Sequence, residues 1–215
     1  MSQVFSPRTG LYVLLALIAM MLVAGAAVAG WRTLTASPHA LDEPVNQPVP
    51  FSHQHHVGQV GLDCRYCHST VETSAYAGMP PVSTCMTCHS QLYTDQPMLR
   101  PLVRSWQTHV PLQWNRVNQL PDFVYFNHSI HVAKGVGCVS CHGRVDQMPL
   151  VRRTVSLSMH WCRQCHRAPQ RFLRPRSKVF DLAWQPAHQQ VLGLALIRRY
   201  GIHTSRLTDC SVCHR

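Results

Sequence analysis

Five copies of the pattern Cys-x-x-Cys-His dominate this sequence and account for all ten of its cysteines. In such a pattern two thiols three positions apart add to the two vinyl groups of one haem, and the adjacent imidazole binds the iron. A redox dithiol, a zinc site or a set of disulfides would use the cysteines but would leave the five histidines unexplained. The sequence therefore predicts five covalently bound haem c groups in 215 residues.

Each copy assigns two attachment cysteines and one iron ligand to its haem. The predicted attachment residues are Cys64, Cys67, Cys85, Cys88, Cys138, Cys141, Cys162, Cys165, Cys210 and Cys213. The histidines predicted as proximal ligands, one on each iron, are His68, His89, His142, His166 and His214.

The number of haems also constrains the fold, because a chain of this length has too few residues to build a separate protein core around each macrocycle. The porphyrins are expected to pack on one another and to form much of the core themselves. Fifteen prolines favour short helices joined by long irregular connections. The predicted fold class is mainly α with much irregular structure, organised as a multihaem cytochrome c.

The chain carries a formal charge of +11, which often indicates binding to nucleic acid or to an anionic membrane surface. Its cations are eighteen arginines and only two lysines, Lys134 and Lys178. Guanidinium groups pair with carboxylates through two parallel hydrogen bonds, and every haem brings two propionates. The charge is therefore assigned to propionate binding, and no nucleic-acid partner is expected.

The N-terminal part of the chain contains an uncharged run, residues 11–30. Twenty residues at about 1.5 Å each can cross a hydrocarbon core of about 30 Å. A signal peptide would have a similar composition, and residues 26–29 resemble a cleavage site, but we expect a retained transmembrane anchor over residues 1–34. Residues 35–50 are polar and rich in proline and are predicted to be a linker. Because haem is attached on the outer side of the bacterial inner membrane, the haem domain is expected to be periplasmic.

An internal repeat divides the remainder of the chain. It begins with Phe-Ser-His-Gln-His-His at residues 51–56 and with Phe-Asn-His-Ser-Ile-His at residues 126–131, and two haem motifs follow each copy. The predicted organisation is a first dihaem module (51–89), a connecting segment (90–125), a second dihaem module (126–166) and a C-terminal segment with the fifth haem (167–215).

A haem that only carries electrons keeps both axial positions of its iron filled, and ten histidines outside the motifs suffice for this. The repeated Phe-x-His-x-x-His resembles the small multihaem cytochromes of the c3 and c7 type. That resemblance implies that His53 and His128 cap the first and third haems and that His56 and His131 cap others. The sixth ligand of the remaining iron is open between three residues, namely His203, Met148 and Met159.

Most of the chain closely resembles the pentahaem cytochrome c subunit of bacterial alternative complex III. The resemblance is carried by residues 51–89, 121–149, 161–167 and 210–215, which include Leu-Asp-Cys-Arg-Tyr-Cys-His and Asp-Phe-Val-Tyr-Phe-Asn-His-Ser. It implies an electron-transfer subunit of an inner-membrane assembly that oxidises quinol and reduces a periplasmic acceptor. The implied partners are an iron–sulfur subunit, polytopic quinol-binding membrane subunits, and a monohaem cytochrome c or another periplasmic acceptor.

Two other functions fit parts of the sequence. A membrane-anchored quinol dehydrogenase of the NapC and NrfH kind also has one span, but it places its first haem close to the anchor, whereas 33 residues separate Gly30 from Cys64 here. A nitrite or hydroxylamine reductase needs an open iron position, often marked by lysine in place of a motif histidine, and all five motifs here end in histidine. The span also lacks ionisable groups that could take up the protons of a quinol. No catalytic site is expected in the chain itself.

Overall fold

The computed structural model describes residues 7–35 and 41–214. The start of the predicted anchor, residues 36–40 of the predicted linker with His39, and the terminal Arg215 lie outside the described residues. The chain divides into two compact units, residues 1–38 and residues 39–215. We describe each unit by itself.

The N-terminal unit is one helix, α1 (Pro7–Thr35), of 29 residues. Its apolar part, Arg8–Thr33, contains an 18-residue stretch with a mean hydropathy of 2.6, and none of that stretch is buried within the protein. At about 1.5 Å per residue, 26 residues extend about 39 Å, which exceeds the thickness of a hydrocarbon core. The prediction of one N-terminal helix able to span a membrane is confirmed in length and composition.

The second unit consists of short helices separated by irregular backbone, as predicted. Its α-helices are α2 (Cys64–Cys67), α3 (Val82–His89), α4 (Arg100–Thr108), α5 (His128–Ala133), α6 (Val139–His142), α7 (Met159–Arg167), α8 (Gln189–Arg199) and α9 (Cys210–Cys213). A π-helical turn spans Gln54–Gln59, and 3₁₀ turns span Pro97–Leu99, Val145–Gln147, Pro169–Arg171, Arg176–Lys178 and Thr204–Arg206. Among the described residues there is no β-strand, only isolated bridges such as that between Val136 and Leu173.

Side-chain caps begin several of these short helices. The carboxylate of Asp63 accepts from the backbone N–H of Arg65 at 2.8 Å at the start of α2. Ser158 accepts from the backbone N–H of Trp161 at 3.3 Å at the start of α7. Such a cap satisfies one of the backbone donors that a helix start leaves free, and it is typically worth about 1 kcal/mol. Asp63 lies directly before the first haem motif, and Ser158 lies four residues before the fourth.

The protein's own apolar core is small and divided into two clusters. One contains Val49, Leu99 and Leu102, with Trp114 packed against it. The other contains Leu173, Leu196 and Tyr200, and it is formed where α8 packs on the turn Pro169–Arg171. Gly193 allows this packing, since a Cβ atom there would lie 2.6 Å from the Cα of Gln170. Two such small clusters agree with the expectation that the polypeptide does not supply most of its own core.

The two repeat copies exchange equivalent backbone hydrogen bonds. Gln54 and Ser129 each follow the first histidine of Phe-x-His-x-x-His. The N–H of Gln54 donates to the carbonyl of Met148 at 3.1 Å, and the N–H of Ser129 donates to the carbonyl of Ser74 at 3.1 Å. Gly58 lies against the backbone of Asp146, where a Cβ atom would collide. Each copy is therefore docked on the segment between the two motifs of the other copy.

Candidate haem-binding sites

The helices place the two cysteines of each motif on one face. Residues three apart in a helix lie next to each other, and each pair falls within or at the start of α2, α3, α6, α7 or α9. None of the ten cysteines, all of which lie in the described part of the chain, is used in a disulfide. Each motif therefore presents two thiols to the same side, as attachment to two vinyl groups of one haem requires.

Four of the five motif histidines are oriented by a backbone carbonyl. A carbonyl only accepts hydrogen bonds, so the bonded Nδ1 carries the proton and Nε2 keeps its lone pair free for a metal. The Nδ1 to oxygen distances are 2.7 Å from His68 to Gly78, 3.1 Å from His89 to Leu92, 2.7 Å from His166 to Leu207 and 3.3 Å from His214 to Phe123.

The remaining motif histidine, His142, has a side chain as its partner. Its Nδ1 lies 3.1 Å from Nδ2 of Asn118, in the segment between the two modules. Burial lowers the pKa of His142 to about 4, with smaller contributions from the nearby imidazoles of His128 and His68. The ring is therefore neutral at pH 7, which is the form that binds iron.

Three histidines of the two repeat copies are oriented in the same way. The Nδ1 to carbonyl distances are 2.9 Å from His56 to Ser52, 2.8 Å from His128 to Ala75 and 2.7 Å from His131 to Asn127. His53 differs, because its Nδ1 is buried and has no hydrogen-bond partner among the described residues. The pKa of His53 is lowered to about 4, mainly by burial and next by the nearby imidazole of His68.

The phenylalanine of each repeat copy packs against both histidines of the Phe-x-His-x-x-His pattern. Phe51 packs edge-on against His53 at 4.8 Å between ring centroids and stacks on His56 at 4.4 Å. In the second copy, Phe126 makes the same two contacts at 4.8 and 4.5 Å. Both phenylalanines are visible in the sequence as part of the repeat, but the repeat pattern alone does not predict these ring contacts.

Three of the repeat histidines each face one motif histidine. Two imidazoles on opposite sides of one metal ion, each about 2 Å from it, have ring centres about 6 Å apart. The observed separations between ring centroids are 6.1 Å for His56 and His89, 6.4 Å for His128 and His142, and 6.2 Å for His131 and His166. Each separation leaves room for one metal ion between the two rings.

The fifth motif has a different environment. The ring of His214 stacks on Phe123 at 5.9 Å, and its backbone bridges to Val124. Of the three candidates for the one sixth ligand that the sequence leaves open, His203 is exposed just before the turn Thr204–Arg206. Met159 is 61% exposed at the start of α7, and Met148 is 3% exposed at the junction of the two repeat copies. The sequence prediction for this ligand stays open.

These donors fit haem c. A covalently attached haem requires from the protein two thiols on one side and an imidazole with a free Nε2, and a six-coordinate iron adds a second axial ligand. All five motifs have the two cysteines, and the second, third and fourth also have the facing imidazole at a suitable distance. The free Nε2 is set by hydrogen bonds at Nδ1, which is the usual outer-shell arrangement around metal-binding histidines.

The first motif lies beside both the second and the third. The hydroxyls of Tyr66 in the first motif and Thr87 in the second are hydrogen-bonded at 2.8 Å. The pKa of Cys138 in the third motif is raised to about 11, mainly by burial and next by the nearby thiol of Cys64 in the first. The first motif is thus a neighbour of two others.

The fourth motif lies between the third and the fifth. The pKa of Cys141 in the third motif is raised to about 12, first by burial and then by the nearby thiols of Cys165 and Cys162. Burial also raises the pKa of Cys162, and the thiol of Cys213 in the fifth motif adds to this. These contacts connect the second motif to the first, the first to the third, the third to the fourth and the fourth to the fifth. We call this series of neighbours the line of motifs; its order differs from the order in the chain.

The comparisons with known proteins agree with these sites. The sequence profile of cytochrome c7 and related cytochrome c matches residues 49–103 and 124–215. The multihaem cytochrome c subunit of a menaquinone reductase from Nitratidesulfovibrio vulgaris (strain Hildenborough) is 28% identical over 190 residues, which are 88% of this chain and 76% of that protein. Because the profile covers well over half of the sequence, the chain belongs to the family of cytochrome c7 and related cytochromes c.

Proposed function

We propose that the chain is the electron-transfer subunit of a membrane quinone-linked oxidoreductase and carries five covalent haem c groups. The observation that supports this most directly is the set of three imidazole pairs with ring centroids 6.1 to 6.4 Å apart. Each pair joins a motif histidine to a repeat histidine across a gap that fits one iron. Haem iron supplies one-electron chemistry, while the protein supplies its ligands and their orientation.

The three pairs suggest a ligand for each of three irons, and the repeat suggests one for a fourth. We assign His56 to the second iron, His128 to the third and His131 to the fourth, each opposite the histidine of that motif. We assign His53 to the first iron, opposite His68, because the equivalent residue of the second repeat copy, His128, faces the histidine of the motif that follows it. The fifth iron has His214 on one side, with His203, Met148 and Met159 as candidates for the other.

The order of the motifs in space suggests the path of the electrons. The second motif lies at one end of the line, the fifth motif at the other, and the first, third and fourth lie between them. We infer that electrons enter at one of these ends and leave at the other. The junction of the two repeat copies then joins the two halves of the path.

The membrane attachment and the partners belong to the same proposal. The apolar helix α1 is long enough to be a single-pass anchor, with the haem-bearing unit on the periplasmic side of the bacterial inner membrane. Within this class of complex, we propose the alternative complex III type. Its partners would be an iron–sulfur subunit, polytopic quinol-binding subunits, and a monohaem cytochrome c or another periplasmic acceptor.

A second candidate differs in the direction of electron flow. The relative from Nitratidesulfovibrio vulgaris is a subunit of a menaquinone reductase, so its complex reduces a quinone. This chain would then carry electrons from a periplasmic donor toward the membrane. The same ligands and the same line of motifs serve either direction, and the assay that closes the Discussion separates the two.

The ring geometry gives a spectroscopic test of the ligand assignment. Two axial imidazoles with nearly parallel planes give a rhombic low-spin electron paramagnetic resonance signal. As the angle between the two planes increases toward a right angle, the low-spin signal becomes highly anisotropic. The ring planes are 8° apart at the third motif, 36° at the fourth and 61° at the second. We therefore expect several different low-spin ferric signals, one of them clearly rhombic.

A high-spin ferric signal in the resting protein would contradict the assignment of two axial ligands to every iron. Binding of carbon monoxide to the reduced, undamaged protein would contradict it as well. Either result would point to an open iron position and would favour an enzyme of the multihaem reductase class. Mass spectrometry of the intact chain gives the matching count, for which we expect five haems.

A further inference from the structure

The partner of His142 differs from those of the other motif histidines. Four of the five have a backbone carbonyl at Nδ1, whereas His142 has the side-chain amide of Asn118, with Nδ2 at 3.1 Å. The amide oxygen Oδ1 of Asn118 is buried and has no hydrogen-bond partner in the part of the chain that the structure describes. The amide therefore has one polar atom beside His142 and one polar atom unpaired.

The chemistry of the ligand determines which amide atom must face it. If Nε2 of His142 binds iron, Nδ1 carries a proton and can only donate. An amide nitrogen is also a donor, so it does not form a hydrogen bond with that N–H. Turning the amide of Asn118 by 180° exchanges two atoms of nearly equal size and brings Oδ1 to Nδ1 as an acceptor. The amide oxygen of Asn118 then accepts a hydrogen bond from the Nδ1–H of the neutral imidazole.

The segment that carries Asn118 is fixed at two points before it. Asn115 exchanges two hydrogen bonds with the side chain of Gln47, both 2.9 Å long, and donates a third to the carbonyl of Asn46 at 2.7 Å. Trp114 packs against the apolar cluster that contains Val49. This segment has no regular secondary structure, so these contacts give Asn118 its position.

We propose that Asn118 is a positioning residue that orients His142 and lowers the reduction potential of the third haem. A hydrogen bond accepted from Nδ1–H increases the electron density on Nε2, and a stronger donor stabilises ferric over ferrous iron. The proposal rests on the proposed function, since it requires a haem at the third motif. It adds that this potential is set by a side chain, which one substitution can change.

The test compares two substitutions in the full chain that are expected to shift the midpoint potential of the third haem in opposite directions. Asn118→Leu removes the acceptor but keeps the branched shape of the side chain, and it is expected to raise one of the five midpoint potentials. Asn118→Asp supplies a charged, stronger acceptor and is expected to lower the same one. For each we expect about a tenfold change in the ratio of oxidised to reduced haem at fixed potential, which is about 59 mV for a one-electron couple. A redox titration that follows the rhombic signal assigns the change to the third haem.

A matched control is available five residues away. Gln113→Leu also replaces an amide by an aliphatic side chain, but Gln113 is exposed and only donates to the carbonyl of Pro111 at 3.4 Å. We expect it to leave all five potentials unchanged. Shifts of Asn118→Leu and Asn118→Asp in the same direction would overturn the proposal, because an acceptor role requires opposite signs.

Two further outcomes would count against the proposed role of Asn118. Unchanged potentials in both Asn118 variants would overturn the proposal, as would loss of the third haem from both with the other four retained, since Asn118 would then serve folding. The unsubstituted protein is weighed by mass spectrometry in the same experiment. Fewer than five haems there would count against the proposed function, whereas a full count with unmoved potentials counts only against the role of Asn118.

Discussion

Replacement of His128 by methionine is expected to raise the midpoint potential of one haem, the third, and to leave the other four unchanged. A thioether is a weaker donor than an imidazole and favours ferrous iron, so iron with histidine and methionine ligands has the higher potential. The shift should be on the order of 0.1 V, a fraction of the about 0.8 V range that axial ligands cover. The rhombic signal assigned to the nearly parallel rings of His128 and His142 should disappear at the same time.

The control for this substitution is His55→Met in the first repeat copy. His55 is an exposed histidine whose Nδ1 is hydrogen-bonded to the side chain of Gln59 at 2.9 Å, and we do not assign it to an iron. Its replacement should change no potential. If His128→Met left every potential in place, or shifted a haem with a different signal, His128 would not be the ligand of the third iron.

Loss of the third haem should be far more damaging than loss of the fifth. Cys138 lies at the centre of the line of motifs, and its backbone N–H donates to the carbonyl of the fully buried Val179 at 3.2 Å. Burial of several hundred Å² of porphyrin, at about 25 cal/mol per Å², is on the order of 10 kcal/mol, which is as large as the whole stability of many domains. We therefore expect the double substitution Cys138→Ser and Cys141→Ser to prevent accumulation of folded protein.

The matched double substitution is Cys210→Ser and Cys213→Ser at the fifth motif. This motif lies at the end of the line, has the fourth as its neighbour, and begins with an exposed cysteine. We expect a folded protein with four haems and a modest loss of thermal stability. Intact mass and thermal unfolding of both variants make the comparison. Equal stability of the two variants would contradict the view that the haems at the centre form the core.

Much of the architecture could be predicted from the sequence, because covalent chemistry fixes it. The cysteine spacing requires two thiols on one helical face, and α2, α3, α6, α7 and α9 cover the motifs. The repeated Phe-x-His-x-x-His predicted four further haem ligands, and the facing ring pairs of His56, His128 and His131 support that assignment. The short helices and the apolar N-terminal helix were predicted correctly as well.

The contacts that orient the ligands could not be predicted. The carbonyls of Gly78 and Leu207 hold His68 and His166 through the path of the backbone, which leaves no pattern in side chains. Asn118 lies in an irregular segment that was predicted only to connect the modules, and its contact with His142 joins residues 24 apart. The sequence also could not show that the first motif lies beside the third, because that contact arises only when the two repeat copies dock.

The assay that tests the account most directly is reduction of the haems by a quinol analogue. The protein is purified from membranes in mild detergent, once with its partner subunits and once as the isolated full-length chain, and reduction is followed by absorbance. The span over residues 11–30 contains no Asp, Glu, His, Lys or Arg that could accept the protons of a quinol, so we expect the electrons to arrive through partner subunits. We expect quinol to reduce the haems of the complex and to leave those of the isolated chain oxidised.

If instead the pre-reduced complex passed electrons to added quinone and quinol had no effect, the quinone-reducing direction would be correct. Reduction of the isolated chain at a rate comparable to that of the complex would contradict the account, because the chain would then oxidise quinol by itself.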